Sequence, residues 1–260
     1  MYASNYFEDI MLNLLKSQTP PTAPSNLYLA LFQNNPGDTG VAGTEIAYTG
    51  YARQLITFTA PEASGAGLSM QNEAMITFPE APATAGSVQY VAVFDNISGG
   101  NMFLYGQLDQ ALNIQAGVSP VFRAGSVKWI WTGNLTTYYR TAIMNYLRGT
   151  NLSGFAPYVG FCNGDPTGSG NEFSGNNYAR VAVTFSTPAQ QPSGTDHVQN
   201  TTDILSGVAT GNWGTLNTVA IFDAASAGNC FAVISLETSY NVTSGYAVGF
   251  HAGDLQFNVN

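Results

Sequence analysis

The chain has 260 residues and a formal net charge of −9, and only 9% of its residues are charged, against ~25% in an ordinary soluble domain. With 7 Lys and Arg in all, it lacks the basic side chains that displace phosphate counterions or hold an anionic bilayer surface, which argues against nucleic acid and membrane partners. At 45% hydrophobic it can bury substantial cores, while a surface left to Ser, Thr, Asn, Gln and Gly suits packing into an assembly or hydrogen bonding to glycan.

In chain order, Met1 to Ile10 shows neither the basic region nor the apolar run of a secretory signal. The expectation is a chain made in, and initially soluble in, a cytoplasm. Phe7, Ile10, Met11, Leu14 and Leu15 then fall on one helical face. Ser4 or Asn5 can cap that helix, Glu8 and Asp9 suit its positive first turn, and Thr19 to Pro24 stops it. Leu27–Phe32 is the longest apolar run. It reads as a buried strand and is far short of the ~20 residues that span a bilayer. Strands follow around Ala52–Thr59, Ser87–Phe94, Asn101–Leu108 and Ser126–Trp131, with a hairpin turn at Asp95 to Gly100 and a long excursion before Ser87.

The same grammar returns in the second half. Tyr51-Ala52-Arg53 recurs as Tyr178-Ala179-Arg180, an offset of 127. Val93-Phe94-Asp95 recurs as Ile221-Phe222-Asp223, and Phe122-Arg123-Ala124-Gly125 as Phe250-His251-Ala252-Gly253, both at 128. A second helix opens at Thr136 or Thr137 and ends at Gly149. The expected second-half strands are Tyr158–Cys162, Ala179–Thr184, Leu216–Phe222, Asn229–Leu236 and Asp254–Val259. The reading is a mainly β chain of two tandem homologous β-sandwich, jelly-roll-like domains, 1–133 and 134–260, each preceded by a short helix. No βαβ alternation appears, which argues against Rossmann-type and TIM-type enzymes.

Two of the few basic residues, Arg53 and Arg180, occupy the same repeat position. We expect each to be partly buried and ion-paired, with Glu45 and Glu172 as the matched carboxylates, because a guanidinium fork bonds a carboxylate through two N–H groups. Asp95 and Asp223 open turns; an Asx turn is the expected role, with a weak metal site as the alternative. The EF-hand pattern fails, since its terminal carboxylate position falls on Gly106. Trp129, Trp131 and Trp213, with Tyr105, Tyr138 and Tyr139, are expected to be core or interface anchors, with glycan-stacking platforms as the alternative. Cys162 and Cys230 read as buried free thiols, with a disulfide left open. Two cysteines with two distant histidines make no zinc site, and no cofactor is expected. Thr195-Asp196-His197 contains a His–Asp pair but occurs in one repeat only, and no nucleophile motif accompanies it.

The ordered motifs Leu27–Phe32, Gly43-Thr44-Glu45, Gly50–Gln54, Val93-Phe94-Asp95, Gly99-Gly100-Asn101 and Ala116-Gly117 through Gly125 resemble the tail-fibre-like virion proteins of tailed bacteriophages. The second half matches through Asn171-Glu172, Tyr178-Ala179-Arg180, Ile221-Phe222-Asp223, Gly228-Asn229 and Ala252-Gly253, and departs where Cys162 replaces the aromatic residue. The resemblance implies a non-enzymatic virion structural protein, a tail-fibre or fibre-anchoring component assembled in multiple copies with other virion proteins. A capsid decoration protein, a carbohydrate-binding module for host surface glycan and a glycan depolymerase remain the alternatives.

Overall fold

The structure is a computed structural model that describes residues 1–133, 135–167, 171–190 and 196–259. The first repeat runs β1 (Tyr2–Ala3), α1 (Asn5–Leu14), β2 (Leu27–Phe32), β3 (Gln54–Ile56), β4 (Glu62–Ser64), β5 (Gly67–Gln71), β6 (Ile76–Thr77), β7 (Gly86–Phe94), β8 (Met102–Ile114), β9 (Val121–Phe122) and β10 (Lys128–Trp131). The second runs α2 (Thr137–Tyr146), β11 (Tyr158–Cys162), β12 (Val181–Ala182), β13 (Ala189–Gln190), β14 (Asp196–Gln199), β15 (Ile204–Leu205), β16 (Gly214–Phe222), β17 (Cys230–Val242), β18 (Gly249–Phe250) and β19 (Gln256–Asn258).

Apart from β1, the two halves pair their strands in the same order. The main sheet is ordered β1-β8-β7-β2-β3 in the first repeat and β12-β11-β16-β17 in the second; the small sheet is β10-β5-β4 and β13-β14-β19; the last pair is β6-β9 and β15-β18. Each of these pairings is antiparallel. At the position of β1, the described residues of the second repeat form a bridge from Leu135 to Ala232. Central strands β2 and β11 are apolar throughout because both faces are covered.

Both helices start as their capping chemistry dictates. Ser4 and Thr136 each accept the backbone N–H three residues on, from Phe7 and Tyr139. Each cap hydroxyl also donates to the first carbonyl of its own long strand, Met102 in β8 and Cys230 in β17. The cap therefore fixes the helix to the sheet as well as starting it.

Neither half closes its core alone. α1 packs on its own β8 and on β14 of the second repeat, while α2 packs on its own β17 and on β5 of the first. Most buried apolar side chains of both halves join in one cluster, with a small separate cluster around Phe94 and another around Phe222. The Tyr139 hydroxyl donates to the Met11 carbonyl, the Ala23 N–H to Asn151 Oδ1 at 2.8 Å, and Arg148 Nε to the Phe58 carbonyl at 3.1 Å. The arrangement is reciprocal, as in an isologous dimer interface, but lies within one chain.

Three expectations need correction. The excursion before β7 is partly regular: it holds β4, β5 and β6, and β5 pairs with β10. The strands expected over Ala52–Thr59 and Ala179–Thr184 shorten to Gln54–Ile56 and Val181–Ala182, because beyond them the chain turns to bridge the small sheet at Phe58–Asn72 and Phe185–Asn200. The return strands extend to Ile114 and Val242, past register shifts opposite Val88/Tyr90 and Leu216/Thr218.

Candidate functional site

The sequence-selected residues converge on the hairpin between β7 and β8, and again between β16 and β17. Glu45 bridges to the end of β2 opposite Phe32, and Glu172 bridges to the end of β11 opposite Cys162. From there Glu45 meets Arg53 side-on: Nε reaches Oε1 at 2.9 Å and Nη2 reaches Oε2 at 2.8 Å. Arg180 meets Glu172 in the same way, with both distances 2.7 Å. Arg53 is 7% exposed and Glu45 27%. The second pair has the same character, which places both in partly desolvated surroundings where a fork–fork bond is strong.

Each guanidinium then spans the hairpin. Arg53 Nη1 donates to the Asn96 and Gly99 carbonyls at 3.0 and 2.7 Å; Arg180 Nη1 donates to those of Ala224 and Ala227 at 2.7 and 2.6 Å. The planar face of each stacks on the last aromatic residue of the strand, Phe94 at 3.6 Å and Phe222 at 3.4 Å. Lysine has neither the fork nor the plane for this.

Tyr51 and Tyr178 complete the arrangement. Each hydroxyl donates to the glutamate Oε1, at 2.9 and 2.6 Å, and accepts the backbone N–H of Leu31 or Phe161. Burial pushes both phenols well above their ordinary range, with the neighbouring glutamate adding to the effect. These tyrosines were noted in the sequence only as repeat markers; their recurrence beside Arg53 and Arg180 was the available signal.

Asp95 and Asp223 close the same hairpins. Asp95 accepts the Asn101 backbone N–H at 2.7 Å and its side-chain amide at 2.8 Å; Asp223 does the same with Asn229 at 2.7 and 2.9 Å. Gly100 and Gly228 sit between, at φ +74° and +69°, where a Cβ would collide with the aspartate oxygen. Among the described residues no group of three His, Cys, Asp or Glu side chains forms a metal site.

The tryptophans lie in the core rather than on a sugar-stacking face. Trp129, Trp131 and Trp213 are all buried. Trp129 packs on Phe7, Trp131 on Tyr139 across the repeats, and Trp213 on Tyr178 with its indole N–H bonded to the Asn176 carbonyl. No ring face is left for a sugar. Asp196 and His197 sit side by side on β14, with Asp196 buried under α1; Thr195 lies outside the described residues, as does Asn134 of the join. Cys162 and Cys230 are free thiols. They stand on β11 and β17 with β16 between, so two strand spacings of ~4.8 Å separate them, beyond the ~7 Å a disulfide allows.

One matched pair escaped the sequence reading. Asn72 and Asn200 are buried in the excursion and staple the small sheet. Asn72 donates to the Ala74 and Arg123 carbonyls and accepts from Val127 N–H; Asn200 donates to Thr202 and His251 and accepts from Leu255 N–H. The Gln71-Asn72 and Gln199-Asn200 dipeptides, 128 residues apart, were the signal.

A family model described as podophage GP4 fiber I protein gp80 matches the chain twice, over residues 2–130 and 134–258. The chain belongs to this fibre-protein family. The gp80-family protein is thus a virion component, structural rather than enzymatic, built of two repeated segments. The geometry shared by its two halves is a scaffold of side-chain bonds. No curated protein matches the chain.

Proposed function

We propose that the chain is a rigid double module of a tail fibre or its anchor, with 1–133 and 134–260 as two copies of one domain, present in multiple copies and packed against other virion proteins. The observation that carries this reading is the reciprocal junction, in which each helix is held between its own sheet and that of the other repeat. A shared core resists bending at the join, which a load-bearing fibre segment needs. The paired Arg–Glu–hairpin arrangements, in the same reading, lock each module's shape. Imaging of particles carrying a label on this chain tests it: density on the tail fibres is expected, and density confined to the head shell overturns the tail assignment.

A second reading, host-glycan binding, is favoured by one groove. It has a volume of about 470 Å³ and is flanked by Tyr240 and Tyr246, 58% and 63% exposed, with Asn241 and Asp254 also at its wall. Exposed aromatic faces beside hydrogen-bonding groups suit a neutral sugar. Glycan-array binding that is lost in Tyr246→Ala supports it; no binding by the intact protein removes it.

A further inference from the structure

The junction between the repeats holds a cluster of carboxyl groups, none of which is in a salt bridge among the described residues. Glu8 of α1 is buried and accepts the Asp196 backbone N–H of β14 at 3.2 Å. Asp9, on the same helix, adds its charge to the surroundings of Asp196. Asp38, in the loop after β2, faces the same space and accepts the Tyr105 hydroxyl of β8. His197, next along β14, is the other titratable group near Asp196, and its Nδ1 is buried without a partner among the described residues. Ionised carboxylates offer acceptor oxygens and no donor, so the buried Glu8 and Asp196 side chains repel once both are charged.

We propose that this cluster is a proton-operated clasp, in which carboxyl groups from α1 and β14 hold the two repeats together while protonated and loosen the junction when they ionise. Four acidic groups gather there, from α1, β14 and the loop after β2, with no salt bridge among the described residues to offset them and His197 the basic group beside Asp196. Burial pushes the Glu8 carboxyl up to about 8, with Asp196, Asp38 and Asp9 adding repulsion. Asp9 and Asp196 are also raised, chiefly by burial. A carboxyl raised in the folded state costs most once ionised. Its contribution is therefore fully favourable below the ordinary range near 4.5 and is lost as pH rises toward about 8. The pseudo-equivalent position of the second helix is Arg140, so the device belongs to one side of the junction only.

The test is urea unfolding of the full chain across pH 5 to 9, followed by fluorescence. For wild type, the unfolding equilibrium constant should rise by up to about tenfold per pH unit for each proton released. Glu8→Gln keeps the acceptor for the Asp196 N–H and removes the titration. It should flatten the slope and be more stable than wild type at pH 8.5. A Glu8→Gln slope identical to wild type overturns the proposal. Should Glu8→Gln fail to fold, Asp9→Asn, on the exposed side of α1, decides instead: a reduced slope supports the clasp, and an unchanged slope overturns it.

Discussion

Glu8 and Arg140 occupy the same place in the two helices, four residues beyond the caps Ser4 and Thr136, and carry opposite charges. Both are buried, at 5% and 7% exposure, and both face the other repeat. Glu8 accepts from β14, whereas Arg140 Nη1 reaches the Ala66 and Trp131 carbonyls at 3.5 and 3.3 Å. Burial lowers the Arg140 guanidinium from its ordinary range, and its Nε is without a partner among the described residues. The duplicated module has kept its shape at the junction while the polar groups have diverged.

The Arg53 lock has a measurable cost of removal. Arg53→Met leaves Glu45 short of its main partner and frees two hairpin carbonyls. We expect a loss of about 2–4 kcal/mol, at the lower end of the range for broken buried pairs because Glu45 is partly exposed. Arg53→Lys should recover only part of it. Urea midpoints of the two variants check this; a wild-type midpoint for Arg53→Met contradicts a structural role.

Asn72 and Asn200 should be equally sensitive. Replacing either by Ala leaves a buried N–H and two carbonyls without their bonds, and a loss of about 2–4 kcal/mol is expected for each. Thermal unfolding of Asn72→Ala and Asn200→Ala measures it. An effect at one site and none at the other would break the equivalence of the repeats.

Asp95 and Asp223 spend their carboxylates on Asn101 and Asn229. Calcium or a chelator should therefore leave the melting temperature unchanged. A calcium-dependent rise that disappears in Asp95→Asn would restore the metal reading.

Cys162 and Cys230 should resist modification in the folded protein. Burial pushes both thiols up to about 12, so the reactive thiolate is a trace species at pH 8. Intact mass after brief alkylation should show unmodified protein, with both sites reacting in denaturant. Rapid native labelling at Cys162 contradicts the packing.

Much of this was legible because the chain is written twice. β2 and β11 were readable as unbroken apolar runs, and the Arg–Glu pairing as two scarce charges at matched offsets. The capping hydroxyls were readable to within one residue. β4 to β6 were not, because Glu62–Ser64 and Ile76–Thr77 are too short for a two-residue period to stand out. The tryptophans were legible only as core or interface residues: Lys128–Trp131 alternates exposed and buried positions, with Trp129 and Trp131 on one face, but the sequence does not say what covers that face. The sharing of one core between repeats is tertiary information; Tyr139 reaching Met11 has no local signature.

The most direct measurement cuts the chain between its repeats. A protease site inserted after the exposed Gly133 permits cleavage of the folded protein without denaturation. If each helix holds the other repeat's sheet, the cut halves should co-elute in gel filtration at the volume of the uncut chain and separate only in denaturant. Two independently eluting halves in native buffer would contradict the double module.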